Sequence, residues 1–537
     1  MTKESFFDVN PGIAVAVAFT ASFLVLILTP AGVNDLTGRY YELLDLNLVY
    51  YMLVILGAVA LLVLSVVKKN ALCSMCAYVL LGTSFFLPSL VNFDWLAYRD
   101  VYLHGAWLSV SDSTIAPIPW YNQWPLAWLV WLTVSRILGL GVVQSSLVTL
   151  TADWSFRMAI TAAIAVRLGR EAGLKPHLHW IVASTILVLF QNQYFLLTSY
   201  ADATLAQSMS LVLLYLLVVQ RINIRNSILL IIFAVSLTAT HPFYSTMLAA
   251  TALIMLLLSR WVSIGKGTYL LMSFLVIYAG YLAYYSVGGL AFGLDIMSGR
   301  IFSLLLRPET LGVAEPLPYY GVVARQAYKF LVLPSVLLLW FFCFLRGRIS
   351  KNTKLLATGY SVSGLALFVV FIHVPGFEGR IVAMGILGVS LLASLQLGIF
   401  CQSKTLLKRV PALLLLVLLV SVPYVLTLEP PVLGRTITPR FVEVVSFSQH
   451  FSGTIFAVPP MGVYLAYVDP YGDRIVSLVS DVPSLNSTEL ISPGSGISLR
   501  LLTLGSTALD FPFPYSPEWS KASIVYSSGI IVAYYKL

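Results

Sequence analysis

The chain has 537 residues, of which 59% are hydrophobic and only 10% charged, with a mean hydropathy of +0.88. No water-soluble core hides that much apolar surface, so a soluble globule is excluded and a polytopic membrane protein is expected. The formal charge of +9 does not point to nucleic acid, because the basic residues stand in short clusters between apolar runs and form no long polybasic tail.

The first apolar run follows Lys3, Glu4 and Asp8 without a small-residue cleavage site and reads as an uncleaved span. A helix needs roughly twenty apolar residues to cross about 30 Å of hydrocarbon. Stretches of that kind predict spans near 12–30, 47–67, 71–91, 151–168, 178–196, 203–220, 226–240, 243–259, 268–292, 327–345, 355–373, 381–400 and 411–427, about thirteen in all. Residues 1–70 hold two N-terminal spans, 71–427 a larger membrane module with outer loops at 92–150 and 293–326, and 428–537 a separate domain. Cys73-Ser-Met-Cys76 has redox or metal spacing but no second ligand pair, and reads as two small hydrophobes in a helix.

Trp124 to Leu140 is apolar enough to cross, yet carries Arg136 and a Gly139-Leu-Gly141 break. Charge decides its placement. If it lies along the outer interface, the connectors holding Lys68-Lys69, Arg167 to Lys175, Arg221 to Arg225, Arg260 to Lys266, Arg346 to Lys354 and Lys404 to Arg409 all face the cytoplasm, as the positive-inside rule asks. Trp120 to about Leu140 is therefore predicted as an interfacial helix, with Trp120, Trp124, Trp128 and Trp131 on one side as membrane anchors. The same choice places the N-terminus inside and the C-terminal domain outside the cytoplasmic membrane, and the compact loops suggest a prokaryote.

Five stretches then share the outer face: Asp94 to Asn122, Tyr200-Ala201-Asp202, His241-Pro242, Gly293 to Gln326, and Val374 to Arg380. After Leu426 hydropathy falls, Pro430, Pro431 and Pro439 intervene, and alternating runs at Gly453 to Val458, Val463 to Val468 and Arg474 to Val479 predict strands, with a hairpin over 523–535 turning at Ser527-Ser528-Gly529. The expected fold class is an all-α polytopic membrane protein of about thirteen transmembrane helices with a small C-terminal mixed α/β extracytoplasmic domain.

Transfer of a sugar from a lipid phosphate needs a carboxylate to take the acceptor's hydroxyl proton, cations for the phosphate leaving group, and a site at the membrane surface. The outer loops supply such groups. Asp94 is the candidate base, with Asp100 and Asp202 as further carboxylates. Arg380, Arg300, Arg307 and Arg325, with His241, Glu378, Tyr98, Arg99 and Lys329 nearby in the loops, are candidates for holding phosphate and substrate, arginine through its forked donors. Asp94 and Asp202 are also candidate ligands for a divalent metal, Mg or Mn, though carboxylates without neighbouring histidines are a weak signal. His241-Pro242 reads equally as a helix breaker, and Arg157 as a partner for Asp153 at the start of its helix.

The order of these pieces resembles the GT-C superfamily of membrane glycosyltransferases. Phe93-Asp94 with Tyr98 and Tyr102-Leu-His-Gly105 is similar to the family's first acidic outer loop. Pro125-Leu126, Gly139 and Arg157, then Asp202, then Gly379-Arg380, follow in the family's order. The Trp-Trp-Asp-Tyr-Gly motif of oligosaccharyltransferases is absent, and three spans precede the acidic loop where the family usually has one. The resemblance implies a polyprenyl-phosphate sugar donor, membrane lipid around the site, and a glycan, lipid or protein acceptor, with no nucleic-acid partner. The alternatives from other classes are a transporter or flippase of lipid-linked glycans, which needs polar residues at mid-membrane, and a non-catalytic envelope-assembly scaffold.

Overall fold

The computed structural model describes residues 10–28, 48–87, 125–190, 202–219, 224–258, 267–284, 323, 326–346, 349–371 and 378–428, and five strands between 455 and 536. Fourteen helices are described: α1 Pro11–Leu28, α2 Leu48–Lys68, α3 Ala71–Ser84, α4 Leu126–Leu138, α5 Val142–Glu171, α6 Pro176–Phe190, α7 Asp202–Val219, α8 Ile224–Thr238, α9 Pro242–Leu258, α10 Gly267–Tyr284, α11 Leu333–Arg346, α12 Lys351–Phe371, α13 Glu378–Cys401 and α14 Leu406–Leu428. A helix stands at each of the thirteen predicted stretches, and α4 at the predicted interfacial segment. Three, over Val49–Lys68, Tyr328–Leu345 and Leu407–Leu426, are long and apolar enough to cross a membrane. The chain is a helical membrane protein.

Its packing is that of a bundle in lipid. Exposed positions are apolar, among them Leu56, Ile137, Val276, Phe330 and Leu338, while serines and threonines such as Ser184, Thr185, Ser208, Thr251 and Ser363 are buried. With no hydrophobic gain from hiding leucine in hydrocarbon, helices associate through small residues and hydrogen bonds. The α12–α13 crossing is the tightest example. A Cβ on Gly364 would lie 2.3 Å from the Cα of Gly385, and one on Gly388 would lie 1.9 Å from the carbonyl oxygen of Ala357. Here the Val389 N–H donates to Ser361 Oγ at 2.8 Å.

A wide π turn at Tyr328–Val332 precedes α11. Pro334 explains it. Proline removes the N–H that would bond four residues back and its ring crowds that carbonyl, so the helix opens by one residue upstream.

Four connectors meet at one end of the bundle, and side chains tie them to one another. The N–H of Ser350 donates to Glu171 Oε1 (2.6 Å), Gln402 Nε2 to the carbonyl of Gly173 (3.4 Å), and Arg409 to the carbonyl of Val66 (2.5 Å). The clusters at Lys68-Lys69, Arg167 to Lys175, Arg346 to Lys354 and Lys404 to Arg409 therefore share a basic end. At the opposite end the Leu126 N–H of α4 donates to the carbonyl of Ala239, between α8 and α9, at 3.2 Å.

Two expectations are corrected. α5 starts at Val142, nine residues before the predicted 151. The intervening sequence mixes apolar residues with Gln144, Ser145, Ser146 and Thr149, but hydroxyls there bond back into the helix, Ser145 to Val142 O and Thr149 to Ser145 O, both at 2.7 Å, so polarity does not end it. Trp128 and Trp131 do not anchor α4 in lipid. Both are buried, and Trp131 Nε1 donates to Val142 O at 2.7 Å, leaving Leu129, Ile137 and Leu138 exposed. Trp120 and Trp124 lie outside the described residues.

Beyond residue 428 the described residues are strands: β1 Ile455–Ala457, β2 Val476–Leu478, β3 Ser498–Thr503, β4 Ser523–Ser527 and β5 Ile531–Lys536, in the order β2-β1-β3-β5-β4. β1 runs parallel to β2 and β3, while β5 runs antiparallel to β3 and β4. β1, β2 and the β4–β5 hairpin fall on the alternating runs read from sequence; β3 was not expected, and 463–468 lies outside the described residues.

Candidate functional site

Most of the residues singled out from sequence lie outside the described ones: Asp94, Tyr98, Arg99, Asp100, Arg300, Arg307 and Arg325. Four are placed at the starts of helices. Asp202 opens α7, Glu378 opens α13 with Arg380 two residues on, and His241 immediately precedes α9. Their ends of the bundle are the same. α13 finishes beside Gln402 at the basic end, so it begins at the other; Thr240 Oγ1 contacts Met209 Sδ, seven residues into α7, at 3.5 Å, which sets the first half of α7 against the α8–α9 corner.

Beneath these starts lies a buried polar network. Arg157 is 0% and Asp153 8% exposed. Arg157 Nε stands 3.0 Å from Asp153 Oδ2, one turn apart on α5, and its Nη1 donates to Gln207 Oε1 of α7. Its guanidinium lies 4.6 Å from the centre of the Trp154 ring, and Tyr244 of α9 faces it as well. Ser208 of α7 hydrogen-bonds Asp153. His241 is buried, with its ring 5.3 Å from that of Tyr244 and edge-on to it, and its carbonyl accepts from Ser245 Oγ at 2.8 Å.

Charge burial of this sort persists only when paired and hydrogen-bonded throughout. Here Arg157 is met on three sides, by carboxylate, side-chain amide and aromatic face, although Asp153 Oδ2 and Arg157 Nε face each other as an ion pair without a well-aligned hydrogen bond. The network therefore fixes α5, α7 and α9 in depth and rotation. Trp154 adds α3, donating through Nε1 to the carbonyl of Gly82 at 2.8 Å. Gln207 is five residues below Asp202, about 7.5 Å along the axis, so the network lies just below the start of α7, and His241 sits against it through Tyr244.

Arg157 is misplaced in the sequence reading. It pairs with Asp153 as expected, but in the middle of α5, fifteen residues after Val142 and fourteen before Glu171, because the helix begins earlier than hydropathy indicates. Charged groups thus occur deep in the bundle as well as at its rims. Gln207, Ser208 and Tyr244 were not singled out, although Thr204, Gln207 and Ser208 at three- and four-residue spacing in an apolar helix are the signal of an inward polar face. The Cys73 and Cys76 thiols are free, and among the described residues no three His, Cys, Asp or Glu side chains gather as a metal site.

No protein-family model matches the chain, and no curated protein does. Among solved structures it is similar to ArnT from Cupriavidus metallidurans in the apo state, with a TM-score of 0.49 and 10% identity over 86% of this chain and 97% of that one. The same protein bound to undecaprenyl phosphate gives a TM-score of 0.48 and 11% identity over the same shares of the two chains.

Proposed function

We propose that the chain is a membrane glycosyltransferase of GT-C type, moving one sugar from a polyprenyl-phosphate-linked donor to a lipid, glycan or protein acceptor at the outer face. What supports the reading is a convergence: α7, α9 and α13 start at one end of the bundle, the end opposite the basic connectors, and the sequence puts Asp202, His241 and Glu378-Gly379-Arg380 at those starts. With the basic end in the cytoplasm, that end faces outward. Asp94 accepts the acceptor's hydroxyl proton as its oxygen bonds to the anomeric carbon and the bond from that carbon to the phosphate oxygen breaks. Arg380 and an arginine of 293–326 stabilise the departing polyprenyl phosphate. Asp100 and Asp202 are the supporting carboxylates, and a divalent cation at Asp94 and Asp202 is part of the proposal.

The test is mass spectrometry of glycolipids and surface glycoproteins from host cells carrying the intact gene or Asp94→Asn at matched protein levels. One sugar is expected to disappear in the variant, a loss of at least about a hundredfold for a general base. Unchanged glycans in the variant would remove Asp94 from the mechanism. If deleting the whole gene also leaves the glycans unchanged, the glycosyltransferase reading falls. Activity of purified enzyme surviving EDTA would remove the metal.

A further inference from the structure

The basic end holds more than a topology signal. His177, buried at the second position of α6, is faced by Lys175, by Lys69 of the α2–α3 turn, by Arg409 of α14 and by His179. Lys69 and Lys175 are exposed, as are Lys404 just before α14 and Lys408 in its first turn. Lys69 has φ +55, the left-handed region that L-residues enter at a cost, and among the described residues it is the one non-glycine that does so. Arg409 is pinned by its bond to Val66 O. Glu171 is the one acid described at this end, and its carboxylate is engaged by the Ser350 N–H. The α2–α3 turn, the α5–α6 connector and the first turn of α14 thus hold like charges around a buried imidazole, a repulsion that a bound anion would relieve.

The neighbouring surface tells which kind of anion. α14 turns Leu407, Val410 and Leu414 outward, 88%, 51% and 67% exposed, on one face of a helix that is apolar enough to cross the membrane. Lys404 and Lys408 stand beside that face. A soluble anion has no use for an apolar stripe running away from the cations into hydrocarbon; a phospholipid uses both. We infer that this corner between α2–α3, α5–α6 and α13–α14 binds an anionic phospholipid of the leaflet at the basic end, the phosphate among Lys69, Lys175, Lys408 and Arg409 and an acyl chain along Leu407, Val410 and Leu414. The site is separate from the proposed catalytic rim, at the other end of the bundle, and stands whether or not the chain transfers sugars.

Native mass spectrometry of the full-length, delipidated protein tests it, with phosphatidylglycerol, phosphatidylcholine of the same acyl chains, or inorganic phosphate added, and Tm recorded alongside. Phosphatidylglycerol is expected to be retained preferentially and to raise Tm. Lys404→Gln/Lys408→Gln should cut that preference by about fivefold for each lysine near the bound headgroup, and Lys69→Gln should do the same by an independent route. The charge-matched Arg136→Gln/Arg225→Gln, on α4 and α8, should keep it. Equal retention of the two lipids by the wild type, unchanged preference in both corner variants, or the same Tm rise with inorganic phosphate alone would overturn the inference.

Discussion

Arg157→Met is expected to lower stability by about 3–5 kcal/mol, because it leaves the Asp153 carboxylate buried without its counter-charge. The Tm in detergent, followed by the protein surviving size-exclusion after heating, measures this. The companion variant Asp153→Leu/Arg157→Met should recover most of the loss, since removing both charges removes the burial penalty along with the attraction. The two readouts separate packing from chemistry. If the double variant recovers Tm and sugar transfer together, the pair is a positioning device for α5, α7 and α9; if it recovers Tm alone, Arg157 acts on the reaction. A wild-type Tm for Arg157→Met would show that the pair contributes nothing to holding the helices.

Gly388→Ala should be nearly as damaging despite adding a single methyl. The new Cβ would meet the carbonyl oxygen of Ala357 at 1.9 Å and Ser361 Oγ at 2.6 Å, and a backbone carbonyl cannot rotate out of the way as a long side chain can. Overpacking typically costs about 1–3 kcal/mol, and a clash with backbone belongs at or above the top of that range. The control is Gly280→Ala on α10, where nothing lies within 4 Å of the added carbon. There the better helix propensity of alanine should raise stability by up to about 1 kcal/mol. Equal Tm shifts in the two variants would mean that α12 and α13 are not in close contact.

The positions of the helices were legible because hydrocarbon imposes a length and a polarity that sequence records directly. Boundaries were less so. Gln144, Ser145, Ser146 and Thr149 lower the hydropathy ahead of residue 151, whereas the hydroxyls of Ser145 and Thr149 bond to the carbonyl one turn back and leave the helix intact. A start at 151 moves Arg157 from the middle of a helix to its start and hides the depth of the network. Trp128 and Trp131 fit the pattern of an aromatic belt equally well facing lipid or facing α5; spacing fixes the face, and only the partner decides which way it turns. Of the candidate site, Asp202, His241, Glu378 and Arg380 could be found as polar residues at predicted span ends. Gln207 and Tyr244 belong to the network through contacts between helices far apart in sequence, which periodicity does not encode.

α5 behaves as a ruler. It is fastened at the basic end, where Glu171 takes the Ser350 N–H, and again at Arg157, where Gln207 takes the guanidinium. Their separation of fourteen positions is a whole number of turns to within about a tenth of one, at 3.6 residues per turn, so both fastenings lie on nearly the same side of the helix. One inserted residue would swing one of them away by about 100°. Point substitutions along the exposed face between them are free to drift, but the length of that interval is not.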